Sequence, residues 1–438
     1  MRRKHRERSV RRKGLARVLR LAVVLPVMAL LAGGAIAGRV GPHQPGLRIA
    51  PRPVAMGFDP LAGHLLVVSG TDLQHRGSAA MLDSRTGALL ATTPLGVGAR
   101  ALDIDPARSR AVVANGGRAD GEGDPIATGS VSVLDTRSGA VARTIGLLWP
   151  PRAVTIGRAS GHVFVSGGYA SKAGWVGELD PVSGRTLRTV RVGFNPNLMV
   201  ADPRTARLFV ANAGISRFNS SVAVLDVRSG RLLATTPLAQ QPDGIAVDVP
   251  RGRIYVTGIS FARQHVDGVA VLDARSGRLL GTVFVGPGNF SVAGGVAVDQ
   301  RRGHVFVPTN SGSVAMLDGR TGHLLRISAM PTNMSEPGMA VDERAGRLYV
   351  ANGGATYVLD TGSGLLLRTI QAPAMVVGVD RGGGAVFLAG ADPARERDPA
   401  HSFWLAIRSW FGHSHSCEGC GLPYGAIDPG LITMESSQ

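Results

Sequence analysis

A five-residue pattern, Asp-x-x-Ser/Thr-Gly, occurs seven times in this chain, beginning at Asp83, Asp135, Asp180, Asp226, Asp273, Asp318 and Asp360, with steps of 42 to 52 residues. Each copy follows one short apolar run and precedes another, as in Val222-Ala-Val-Leu-Asp226 and Arg231-Leu-Leu-Ala-Thr235. An Asp at the start of a turn accepts hydrogen bonds from backbone two residues on, and Gly supplies the positive φ that closes it. Each copy therefore reads as a tight β-hairpin. A hairpin at this period points to a solenoid, propeller or array.

A second hairpin lies about twenty residues upstream of each turn, best seen in Gly244-Ile-Ala-Val-Asp248 and Arg253-Ile-Tyr-Val-Thr257. Matching turns begin at Asp59, Asp105, Asp202, Asp299, Asp342 and Asp380, while copy three has Gly157 in place of the Asp and keeps the turn glycine at Gly161. Each unit thus holds four short strands, A to D, rich in Val, Ile, Leu and Ala. Four-strand units of this length are propeller blades. The fold class expected is all-β: a β-propeller of seven complete repeats and an eighth half-repeat, Val376–Asp380 and Ala385–Leu388.

Counting A strands favours eight blades over seven plus a flap. Leu47-Arg-Ile49 is expected to close the ring against the last blade, with Phe403–Ile407 as that blade's third strand. Aromatics make up 5% of the chain, so the core is expected to stack Val, Ala and Leu rather than large rings. The layout expected is residues 1–38 as leader, 39–46 as linker, 47–411 as propeller and 412–438 as a Cys/His-containing tail.

The turns followed by a gap and Gly-Arg-x-Tyr/Phe-Val-x-Asn resemble the YVTN-repeat β-propeller family. The signatures are Arg207-Leu-Phe-Val-Ala-Asn212, Arg347-Leu-Tyr-Val-Ala-Asn352 and, with Gly replacing the final Asn, Arg253-Ile-Tyr-Val-Thr-Gly258. The resemblance covers residues 47–390. It implies an extracytoplasmic propeller, commonly without an assigned reaction, whose architecture is shared with lactonase-like and quinoprotein-dehydrogenase subunits. None of the matching residues is catalytic, so the resemblance carries no active site.

Residues 1–20 hold ten Lys or Arg and one Glu, and the apolar stretch 21–38 ends near Ala35-Ile-Ala37. That is the pattern of an export leader; the stretch is also long enough to serve as an uncleaved membrane anchor. The expected location is extracytoplasmic: periplasmic, secreted or anchored. The formal charge is +17, but the leader carries more than half of it. The remaining arginines are spread through the turns rather than forming one stripe, so nucleic acid is not expected as a partner. Lys occurs only at positions 4, 13 and 172, a bias that suggests a GC-rich genome.

Short A–B and C–D turns leave the B–C and D–A connections to vary on the opposite face, and loops on a rigid scaffold concentrate binding residues. Ligand-binding candidates are Asp120, Glu122 and Asp124 in one long loop, Arg263 and His265 in another, and Trp175 after a third. The alternating Asp120, Glu122 and Asp124 resemble Ca²⁺ ligands without the full loop pattern. In the tail, His413, His415, Cys417 and Cys420 leave three readings open: a Zn or Cu site, a Cys417–Cys420 disulfide or redox pair, or free thiols. A c-type haem is disfavoured because position 421 is Gly rather than His.

His64, His162 and His304 stand where other copies have Arg and read as surface substitutes. No nucleophile elbow, zinc-protease motif or phosphate-binding loop appears. The function expected is an exported scaffold that binds a protein, envelope polymer or small ligand through its loop face, with no catalytic residues and no cofactor. The alternative is an enzyme or redox/accessory subunit using the channel mouth or a metal in the tail. Membrane association would run through residues 21–38, and the sequence leaves the oligomeric state open.

Overall fold

The computed structural model describes residues 53–70, 75–118, 128–168, 172–214, 219–260, 268–285, 295–309, 311–331, 337–352, 354–371, 374, 376–379, 385–389 and 432–436. They form a β-propeller of eight antiparallel sheets, seven with four strands and the eighth with three. Blade 1 pairs Pro53–Asp59, His64–Ser69, Arg76–Asp83 and Leu89–Val97 in order. Blade 3 pairs Pro151–Ile156, Val163–Gly167, Ala173–Leu179 and Thr186–Phe194. The only helical turn among the described residues is the 3₁₀ segment Pro106–Arg108.

The inner strands form a closed circuit. They are Pro53–Asp59, Ala99–Asp105, Pro151–Ile156, Pro196–Asp202, Gln240–Asp248, Ala297–Asp299, Gly338–Asp342 and Val376–Val379; each contacts the next, and the last contacts the first. At that seam a Cβ built on Gly378 would lie 2.5 Å from Met56 Sδ, so the Met56 side chain packs directly on the Gly378 backbone. Each of the eight blade-to-blade joints buries its own apolar cluster. The closing joint packs Leu65, Val67, Ala80 and Leu82 of blade 1 against Phe387 and Ala389 of blade 8. Blade number is thus eight.

Two expectations need correction. The third strand of blade 8 is Ile432–Ser436, which pairs antiparallel with Ala385–Ala389; Phe403–Ile407 and Leu47–Ile49 lie outside the described residues. The rings also belong to the core. Phe164, Phe209, Tyr255, Phe306, Tyr349 and Phe387 are all buried, one per second strand in six successive blades. Few rings are needed because no joint holds more than two, set among Val, Ala and Leu layers.

Candidate functional site

The two faces of the ring are chemically unlike. On the turn face, every Asp-x-x-Ser/Thr-Gly copy is closed by its own Asp. In the fourth, Asp226 Oδ1 accepts hydrogen bonds from Arg228 N–H at 3.0 Å and Ser229 N–H at 2.7 Å. Gly230 adopts φ 65° and its N–H returns to the Asp226 carbonyl at 2.8 Å. These bonds favour the ionised carboxylate, so all seven Asp side chains are held below the usual carboxylate range. The hydroxyl three residues on is the main cause at Asp83, Asp180 and Asp360; its backbone N–H is the main cause at Asp135, Asp226, Asp273 and Asp318.

The same face is sewn from blade to blade. The Thr136 hydroxyl donates to buried Asp59 Oδ2 in the preceding blade. Tyr255 O–H donates to the Gly319 carbonyl, and Arg302 donates to the Glu343 carbonyl at 3.3 Å. His64 and His304, expected as surface substitutes, belong to this set: their Nδ1 atoms lie 2.8 and 2.6 Å from the Thr136 and Thr361 carbonyls. A carbonyl only accepts, so each ring carries a proton on Nδ1. His162 instead meets buried Glu178 at 2.7 Å, and Arg188 holds the other Glu178 oxygen at 2.6 Å.

Copy three, which lacks the Asp, is served by its neighbour. Asp103 of blade 2 accepts from Ile156 N–H at 2.8 Å, the Thr155 hydroxyl at 3.1 Å and Arg158 at 2.7 Å. The following blade presents Val227 where blade 2 presents Thr136, and a Cβ on Gly157 would stand 3.2 Å from Val227 Cγ1. A polar joint has become an apolar one.

On the loop face the inner strands of blades 1 to 5 share an irregularity. Each begins with a β-bulge that skips one residue against the second strand: Val54, Arg100, Arg152, Asn197 and Asp243. A bulge re-aims the side chain it carries. Here it gives four consecutive blades a part-buried polar residue at the loop-face end of the inner strand. Arg100 donates through Nε to the Gly98 carbonyl at 3.4 Å. Its guanidinium lies so close over Gly116 that any Cβ there would collide with it. Burial first, and the neighbouring Arg152 charge second, push the Arg100 guanidinium down to about 10. Asn197 Oδ1 is buried without a hydrogen-bond partner among the described residues.

Between blades 2 and 3 the loop face opens into a groove of about 740 Å³ lined by Leu148, Trp149, Lys172, Trp175, Arg191 and Phe194. Trp175 is 38% exposed and sits directly across from Arg191 on the neighbouring strand. Trp149 lies against Gly177, where an added Cβ would come within 2.8 Å of the indole Cζ2.

Chains of known structure share this fold. The computationally designed protein Ika8 superposes with a TM-score of 0.58 at 16% identity, over 80% of this chain and 97% of its own. Hydrazine synthase from Kuenenia stuttgartiensis gives 0.56 at 16% identity, over 72% of this chain and 96% of its own. The likeness is one of fold. No family model matches the sequence, and no curated protein matches it either.

Of the ligand-binding candidates, Trp175 is the one in the described part, at the groove. Asp120, Glu122, Asp124, Arg263 and His265 lie outside the described residues, as do His413, His415, Cys417 and Cys420. Among the described residues no group of three His, Cys, Asp or Glu could hold a metal, and no helix is long and apolar enough to cross a membrane. The sequence reading passed over Arg100, Arg152, Asn197 and Asp243, because a bulge is invisible without strand register. It also passed over Trp149 and Arg191, whose neighbour Trp175 did carry a signal. That position is Ser78, Ser130, Ser221, Gly268, Ser313 and Ala355 in the sibling copies.

Proposed function

We propose that this chain is an exported, non-catalytic β-propeller that binds a protein or envelope component through its loop face. The reading includes its place among YVTN-repeat propellers, supported by the Arg207–Asn212, Arg253–Gly258 and Arg347–Asn352 signatures on second strands. The observation that carries the binding role is the shared bulge in blades 1 to 5, which sets Arg100, Arg152, Asn197 and Asp243 toward the loop-face ends of four successive inner strands. Turn-face carboxylates and hydroxyls are largely taken up in closing their own turns and joining neighbouring blades, whereas these residues vary from blade to blade, as a recognition surface requires. The charge left after the basic leader favours partners with acidic groups.

The test is mild cross-linking of the mature chain in envelope extract, followed by quantitative identification of what is captured. The proposal expects a saturable partner whose capture is lost when the loop at 258–268 is shortened. Capture that never saturates, or that survives the shortening undiminished, would overturn it.

A further inference from the structure

Blade 3 departs from its siblings at three positions within four residues of its third strand. Trp175 replaces a small residue, Gly177 replaces Ala80, Ser132, Ala223, Ala270, Ala315 or Tyr357, and Glu178 replaces Met or Val. The first two departures act together. Residues 175 and 177 lie on one side of the strand, since side chains alternate. Losing the Cβ at Gly177 makes room for Trp149, and Trp175 adds a second indole beside it. Arg191 and Thr189 sit opposite Trp175 and Gly177 in the strand register and complete the wall, with Phe194 and exposed Leu148 at the rim.

Two features of this groove are unexplained by packing. Trp149 is 8% exposed, yet its indole N–H has no acceptor within reach among the described residues. A buried donor left without an acceptor costs about 1–3 kcal/mol. Arg191 is exposed beside an aromatic wall and forms no ion pair among the described residues. The groove volume lies inside the range of about 300–1,000 Å³ that small-ligand sites occupy.

From this geometry we infer that the groove between blades 2 and 3 is a binding site for an acidic saccharide, a sugar chain carrying uronic-acid carboxylates. The C–H face of a sugar ring lies against the exposed indole of Trp175. The carboxylate pairs with Arg191, and the Thr189 hydroxyl lies on the same wall. A neutral sugar would satisfy the indoles and leave the guanidinium unused. A flat aromatic acid would satisfy the cation and the ring face but brings no hydroxyls to the Thr189 side of the wall. The inference rests on the loop face being the working face, and it is independent of the channel mouth.

The experiment is a titration of the mature chain with trigalacturonate, followed by tryptophan emission and by calorimetry, with maltotriose and benzoate as comparison ligands. Trp175→Ser installs the residue that siblings carry, and its thermal melt checks that the fold is intact. The expected result is saturable binding of trigalacturonate, at least about tenfold tighter than either comparison ligand. Binding is lost in Trp175→Ser and weakened about tenfold in Arg191→Gln and by added salt. An Arg100→Glu variant leaves this titration unchanged, which separates failure at the groove from failure at the channel mouth. Absence of saturable binding at millimolar ligand, equal binding of maltotriose or benzoate, or undiminished binding by folded Trp175→Ser would each overturn the inference.

Discussion

The carboxylate of Asp226 serves two turn N–H groups, the Ser229 hydroxyl and the Arg207 guanidinium. Replacing it with Ala removes those acceptors while leaving the turn glycine in place. Asp226→Ala is expected to lower the unfolding free energy by about 1 kcal/mol, as for the loss of a capping Asp, measured by urea titration. The pH dependence follows from the direction of the shifts. A carboxylate whose folded pKa is depressed stabilises the fold above its unfolded pKa of about 3.9 and loses that contribution as pH falls through the folded value. Seven turn Asp residues shift this way, whereas burial raises Asp248 and gives it the opposite sign. Stability measured by denaturant titration is therefore expected to fall steadily from about pH 4 downward. A stability that is flat or rising between pH 4 and pH 2 would contradict the assigned role of these carboxylates.

A blade of this protein is specified locally and joined non-locally, and the two kinds of information differ in how readable they are. The hairpins were legible because turn chemistry fixes them within five residues, as at Asp273 to Gly277. The joints were not, because they depend on which residue of one copy meets which residue of the next. Gly157 looked like a defect in copy three until Val227 and Asp103 appeared on either side of it. That pairing predicts non-additivity. Gly157→Asp alone buries a carboxylate against Val227 and is expected to destabilise by about 2–3 kcal/mol. Adding Val227→Thr supplies the hydroxyl that Thr136 gives Asp59, and the double variant should recover about half of the loss. A double-mutant cycle with no coupling would show that the two positions are not a polar joint in waiting. The same blindness hid the channel mouth. Arg100, Arg152, Asn197 and Asp243 read as ordinary strand residues until register placed each on a bulge. Trp175 stood out because it follows one of the long loops, and its six siblings are small.

For the whole molecule, closure of eight inner strands into one circuit removes exposed sheet edges at the axis and leaves the two faces as the surfaces available for recognition. The turn face repeats itself and ties blades together; the loop face varies and carries the bulges and the groove. On the proposed function, binding belongs to the loop face alone. Charge reversal on each face in turn separates the two, reading capture of the cross-linked envelope partner. Arg100→Glu with Asp243→Arg alters the channel mouth, and Arg137→Glu with Arg275→Glu alters two exposed turn positions. Capture is expected to fall at least about tenfold for the first pair and to stay unchanged for the second. Loss of capture by the turn-face pair, or retention by the channel-mouth pair, would contradict that expectation.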